Sequence, residues 1–148
     1  MKEAVGNTFI LSIMITFVVI FIILFAGSTS YTKAYKVKNR IIDIIENNED
    51  VKDNKGISDS TFTEINQFLS ETGYKIGNPN KSTCKSHGGN LVSNHNNRYR
   101  YCIERFETDR GPYYGVTAYM YLELPVISSL IEVPVYGETK ILGQLKAD

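Results

Sequence analysis

The stretch "FILSIMITFVVIFIILFA" at residues 9–26 has no charged side chain. As a helix it covers about 27 Å, and about 33 Å if residues 8–29 are counted. A bilayer core is about 30 Å thick. Ser12 and Thr16 are its only polar residues, and both hydroxyls can bond back to their own helix. Ile, Val and Phe are indifferent helix formers in water. In hydrocarbon that weakness disappears, because the backbone must satisfy its own hydrogen bonds.

Two fates fit such a run. A cleavable signal has an apolar region of about 7–15 residues followed by a small-x-small site, and Ala26-Gly27-Ser28 supplies one. The run is longer than that, and the leader "MKEAVGNT" has only Lys2, offset by Glu3. We therefore expect a retained anchor with Phe9, Ile13, Phe17, Ile20, Phe21, Leu24 and Phe25 as its membrane and helix-packing residues. The following "SYTKAYKVKNRIIDIIENNE" keeps a helical stripe of Tyr31, Ala34/Tyr35, Lys38, Ile41/Ile42 and Ile45, spaced i, i+3/i+4, i+7. Neither Pro nor Gly interrupts it. The spacing predicts one rod ending near Asn47-Asn48; the alternative is an anchor followed by a charged spacer. The chain thus divides into an anchor (1–29), an amphipathic continuation (30–50) and a small domain (51–148).

Charge and cysteines disagree on orientation. Lys33, Lys36, Lys38 and Arg40 follow the run, which by the positive-inside rule puts the C-terminal domain in the cytoplasm. Cys84 and Cys102, the only cysteines, suit an oxidising compartment if bonded. A bridge closes a loop of 18 residues, contributing about 3 kcal/mol in the chain-entropy reading. Two alternatives stay open: free thiols, or a zinc set of Cys84, His87, His95 and Cys102 whose spacing fits no common zinc pattern. We weigh the cysteines above the four basic residues.

The remainder reads as a thin α+β domain. Residues 47–56 are a polar loop. "SDSTFTEINQFLSETGY" (58–74) is a short helix capped by Asp59 or Ser60, with Glu64 in its first turn, an apolar face of Phe62, Ile65, Phe68 and Leu69, and Gly73 as its left-handed stop; it is expected to pack on a sheet. Residues 75–100 read as a loop. "RYRYCIERFE" alternates, "TDRGP" is a turn, and "YYGVTAYMYLEL" alternates with one face buried. "PVISSLI" (125–131) suits a Pro-led helical bend, and 132–142 a last strand with Pro134 at an edge or start. The result is a three- or four-stranded antiparallel meander.

Lys plus Arg and Asp plus Glu number 16 each, which speaks against a nucleic-acid partner. G-x-S-x-G, a phosphate-binding Gly loop and H-E-x-x-H are all missing from the sequence, so neither an enzyme nor a cofactor is expected.

A short polar leader, an apolar run entering a long helix, and a small Tyr-rich antiparallel sheet with one disulfide resemble the type IV pilin-like proteins. "GVTAYMYLELPVISSLIEVPVYGETKIL" is similar to the C-terminal pattern of TadE-like pseudopilins of tight-adherence pilus systems. The resemblance implies a membrane subunit that meets other pilin-like subunits and an assembly platform through its N-terminal helix, with an extracytoplasmic C-terminal domain. It also implies a leader ending at Gly6 with Asn7 as first mature residue. The fifth mature position is then Leu11 rather than the family's Glu, which points to a minor or accessory subunit.

Overall fold

The structure, a computed structural model, describes residues 2–48, 51, 56–74, 84, 86–92, 99–123 and 130–142. The first element, α1, is one unbroken helix over Lys2–Asn47, 46 residues or about 69 Å long. It passes through Gly27 without interruption. Thr16, Thr29 and Thr32 each donate a hydroxyl hydrogen bond to the carbonyl four residues earlier, at 2.9–3.0 Å. Hydroxyls that would be unsatisfied in hydrocarbon or at its edge are thus absorbed by the helix itself.

Above the apolar run, α1 buries Ala34, Val37, Lys38, Ile41, Ile44 and Ile45. The stripe read from sequence is rotated by about one position. Val37 and Ile44 belong to it, whereas Tyr31 and Tyr35 are 52% and 44% exposed and stack on each other with ring centroids 6.3 Å apart. Tyr misleads here because its apolar body and polar tip suit a wet flank as well as a core. Lys38 enters the stripe because Gly137 lies opposite: a Cβ there would stand 2.7 Å from Lys38 Cδ. The ammonium escapes sideways over the Tyr35 ring, 4.4 Å from its centroid, so the stem is buried while the charge stays near water.

The sheet is a four-stranded antiparallel meander in the order β1 (Asn90–Val92), β2 (Tyr101–Thr108), β3 (Gly111–Glu123), β4 (Leu130–Glu138). The β2–β3 hairpin pairs Thr108 with Gly111 across Asp109-Arg110. Gly111 has φ +130°, a value L side chains rarely adopt. Val116 pairs with Gly137 and Ile103, and cross-strand partners share a face. Tyr114, Val116, Ala118, Tyr101, Ile103 and Val135 therefore line the side that meets α1, and all are buried. Val116, Ile103 and Val135 each contribute about 1.5–3 kcal/mol by leaving water.

Several expectations change. The opposite face was expected to be wet, yet Cys102, Glu104, Thr117 and Tyr119 are buried on it, covered by the segment that includes Cys84 and His87. Strand β1 lies inside the stretch read as loop; three residues beside two glycines carry too little pattern to announce a strand. Leu130 and Ile131 begin β4 rather than end a helical bend, and residues 124–129 of that bend lie outside the described residues. Pro134 sits within β4, opposite Tyr119, and is tolerated because β4 is an edge strand. After β4 the chain stays beside β3 through Thr139 N–H to Tyr114 O (2.9 Å) and Leu142 N–H to Pro112 O (2.7 Å).

The short helix, α2, spans Asp59–Glu71. Its N-cap is Ser58, not Asp59 or Ser60, and Asp59 rather than Glu64 is the acid of the first turn. Ile65, Leu69 and Thr61 are buried, with Phe62 and Phe68 packed at the margin. Gly73 takes φ +62°. Tyr74 N–H reaches Leu69 O at 3.0 Å and Gly73 N–H reaches Ser70 O at 3.2 Å, the double bond of a Schellman stop. Among the described residues the backbone of α2 approaches α1 and not the sheet. Val51, in the stretch read as polar loop, is fully buried in the common core.

The rotated stripe makes a direct test. Ile44→Ala should cost about 2–5 kcal/mol, whereas Tyr31→Ala should stay within about 0.5 kcal/mol, both read by chemical denaturation of the full chain in detergent. Equal losses would return the stripe to the position read from sequence.

Candidate functional site: an apolar stem and a cross-linked head

Two regions of this molecule have features that packing of the chain on itself does not account for. The first is the lower half of α1. Phe9, Ile13, Phe17, Ile20, Phe21, Leu24 and Phe25 are all exposed, Phe25 to 78%. The helix Gly6–Asn47 contains a window of mean hydropathy 3.1 with none of it buried inside the chain, long and apolar enough to cross a membrane. Leu11, Met14, Ile15 and Ile22 are as exposed as the seven. The surface is therefore apolar all round, as expected of a helix surrounded by lipid or by other helices. Phe17 and Phe21, one turn apart, meet at 6.0 Å between centroids. Gly6 and Asn7 lie within α1 and Asn7 is exposed.

The second region is the far face of the sheet. Cys84 and Cys102 are joined, with Cα atoms 5.9 Å apart, and Cys102 Sγ lies 3.7 Å from the Tyr119 hydroxyl. Three residues past Cys84, the His87 N–H donates to both carboxylate oxygens of Glu104 at 3.0 Å. The His87 ring puts Nδ1 3.4 Å from Glu104 Oε2 and stacks on Tyr136 with centroids 4.2 Å apart. Glu104 is 3% exposed, and these contacts give its charge compensation that a buried carboxylate requires. The bond consumes both thiolates that a zinc set would need. His95 lies outside the described residues, and among the described residues no three His, Cys, Asp or Glu are placed to hold a metal ion.

Tyr74 closes the end of the β2–β3 ladder. Its oxygen accepts from Tyr119 N–H at 2.8 Å and stands within donating distance of Arg100 O (2.9 Å) and Tyr119 O (3.0 Å). Burial pushes its phenol far above the usual range. Burial, and then the Glu132 charge, push Tyr121 up to about 12. Phenols held neutral in this way are not poised as bases. Arg100 pairs with Glu132 at 2.9 Å and lies over the Tyr119 ring at 4.5 Å. At the upper end of α1, burial would raise the Glu46 carboxyl, but Lys140 donates to it from its backbone N–H (2.8 Å) and its ammonium (3.0 Å) and holds it below the ordinary value.

Between α1 and the β3 end lies a cleft of about 130 Å³ lined by Ser30, Lys33, Tyr74, Tyr119, Met120 and Tyr121. Lys33 Nζ donates to Gly73 O at 3.1 Å on its rim. Sequence reasoning reached Cys84, Cys102 and the stem, but it missed Tyr74, Arg100, Glu104 and the cleft. Only Tyr74 had a signal: an aromatic directly after a left-handed Gly occupies the C″ position, which commonly packs back on its helix.

Replacing Cys84 and Cys102 together by Ser should lower stability by about 3 kcal/mol, the value for a loop near this length, measured by denaturation of the oxidised full chain. A chelator should leave the oxidised chain unchanged. Sensitivity to the chelator with no loss in the double Ser variant would contradict the cross-link.

Compared with known protein families, curated proteins and solved structures, the chain has no significant match.

Proposed function

We propose that this chain is a membrane-anchored pilin-like subunit, a minor pilin or pseudopilin, that takes part in assembling a type IV or Tad-like pilus or secretion filament. The observation that carries the reading is the single helix that serves two solvents. Residues 9–25 present apolar side chains on every side, and residues 34–45 of the same unbroken helix pack against an antiparallel sheet. A separable anchor has no need of that rigidity; a subunit that must carry its head in fixed register while its stem passes from lipid into a bundle of stems does. Lipid tails are as apolar as Leu, so that transfer is decided by packing among stems.

In this reading the chain spans the cell membrane once, with the disulfide-tied head outside the cytoplasm. Its partners are the membrane, the stems of other pilin-like subunits and the assembly platform. A second reading, a single-pass protein whose head is a binding or scaffold domain, is favoured by one observation: Leu11 stands where assembling pilins carry an acid.

N-terminal sequencing of the mature protein, with in-cell cross-linking from single cysteines at Ile13, Phe17, Phe21 and Leu24, separates these. The pilin reading expects a chain starting at Asn7 or Met1 and stem-to-stem cross-links to identical or related subunits. A retained stem with no such cross-links would leave the scaffold reading. A start near Thr29 would overturn both.

A further inference from the structure

We infer that the Cys84–Cys102 bond is a reducible latch. A thiolate attacks Cys84, Tyr119 stabilises Cys102 as it leaves, and the strap of residues 86–92 then lifts from the far face of the sheet. The latch goes beyond the pilin-like reading, since it does not depend on what the stem meets.

Without the bond the strap is held weakly. Ser86, His87, Gly88, Asn90 and Leu91 are exposed, and Val92 is only partly buried against the core. Little apolar surface therefore leaves water when the strap closes. Its strand, β1, pairs with β2 over three residues. The His87 hydrogen bonds to Glu104 are exchanged for bonds to water when the strap lifts, and a carboxylate that is 3% exposed in the closed state regains its hydration. Gly88 and Gly89 gain more backbone freedom on release than other residues do. The bond opposes all this by tying residues 18 apart in sequence, which restricts a lifted strap as it restricts an unfolded chain.

The two sulfurs are not equivalent. Cys102 is 5% exposed, whereas Cys84 is partly exposed, so an incoming thiolate reaches Cys84. A new S–S bond forms to Cys84, the Cys84–Cys102 bond breaks, and the electron pair leaves on Cys102 Sγ. The Tyr119 hydroxyl stands 3.7 Å from that sulfur and is placed to donate to the thiolate. With a dithiol as electron donor, its second thiol then displaces Cys84. One dithiol is oxidised to a disulfide, and the two cysteines take up two electrons and two protons.

Lifting is tested by residue-resolved hydrogen exchange of the full chain in detergent, oxidised and after dithiothreitol. Arg100 O and Tyr119 N–H both meet the Tyr74 hydroxyl between β2 and β3, so by antiparallel alternation the N–H groups of Ile103 and Arg105 face β1. Reduction should speed their exchange about a hundredfold, the factor supplied by closing a loop near this length. Their opening should not respond to low urea, because it exposes little surface. Val116 and Ala118, which face β4, should exchange through an opening that urea promotes. No change at Ile103 and Arg105, or one rate and one urea dependence for all four, overturns the latch. The chemistry is tested separately. Glutathione should be trapped on Cys84 in peptide maps, and Tyr119→Phe should slow reduction by dithiothreitol about tenfold, the effect of one hydrogen bond to a charged group. A looser fold would quicken reduction instead. An adduct on Cys102, or an unchanged or faster rate in Tyr119→Phe, overturns the assigned roles.

Discussion

The packing of α1 residues 34–45 against β3 and β4 is the constraint from which the rest follows. Val37, Ile41 and Ile45 are fully buried there, together with Tyr114, Val116 and Ala118 from the sheet. A head of this size has little core to spare, so this one interface must hold the helix and the sheet together. Because α1 does not break at Gly27, whatever fixes the upper half also fixes the direction in which the lower half leaves the head. The apolar stem is then an extension of the core helix, and its orientation relative to the head is set by the same side chains that make the head stable.

The far face of the sheet is protected differently. No helix lies on it among the described residues. Its cover is a polar segment that would gain little by burying itself, so the Cys84–Cys102 link and the His87–Glu104 contacts hold it in place. The link works mainly by restricting the unfolded chain, while the His87 N–H and ring compensate a carboxylate that would otherwise be buried at a loss. Hydrophobic packing on one face and covalent attachment on the other allow about 90 residues to form a sheet with buried residues on both faces.

Much of this was legible in the residues. The apolar run, the unbroken helix, its end at Asn47, the Gly73 stop and the β2–β3 hairpin each depend on local chemistry, which a sequence states directly. What escaped depends on contacts between distant residues. Val37 and Ile44 could be separated from Tyr31 and Tyr35 only by the position of the sheet. The spacing put Lys38 in the stripe, but not the reason its stem fits there, which is that Gly137, 99 positions away, has no side chain. Val51 lies in a charged stretch, and its burial is decided by what surrounds it. Glu104 alternates correctly for a wet face and is buried because a cross-link places His87 over it. The cleft combines three residues of α1 with Tyr74 and the end of β3, and no spacing in the sequence announces that meeting.

The central claim, that stem and head are one rigid element, is tested most directly by a distance across Gly27. Spin labels at Phe17→Cys and Asp43→Cys, both on exposed positions of α1, are separated by 26 residues and so by about 39 Å in a continuous helix. Pulsed EPR of the oxidised full chain in nanodiscs should give one narrow distribution near that distance. A broad distribution, or a mean shorter by about 10 Å or more, would show a hinge below the head and contradict the account.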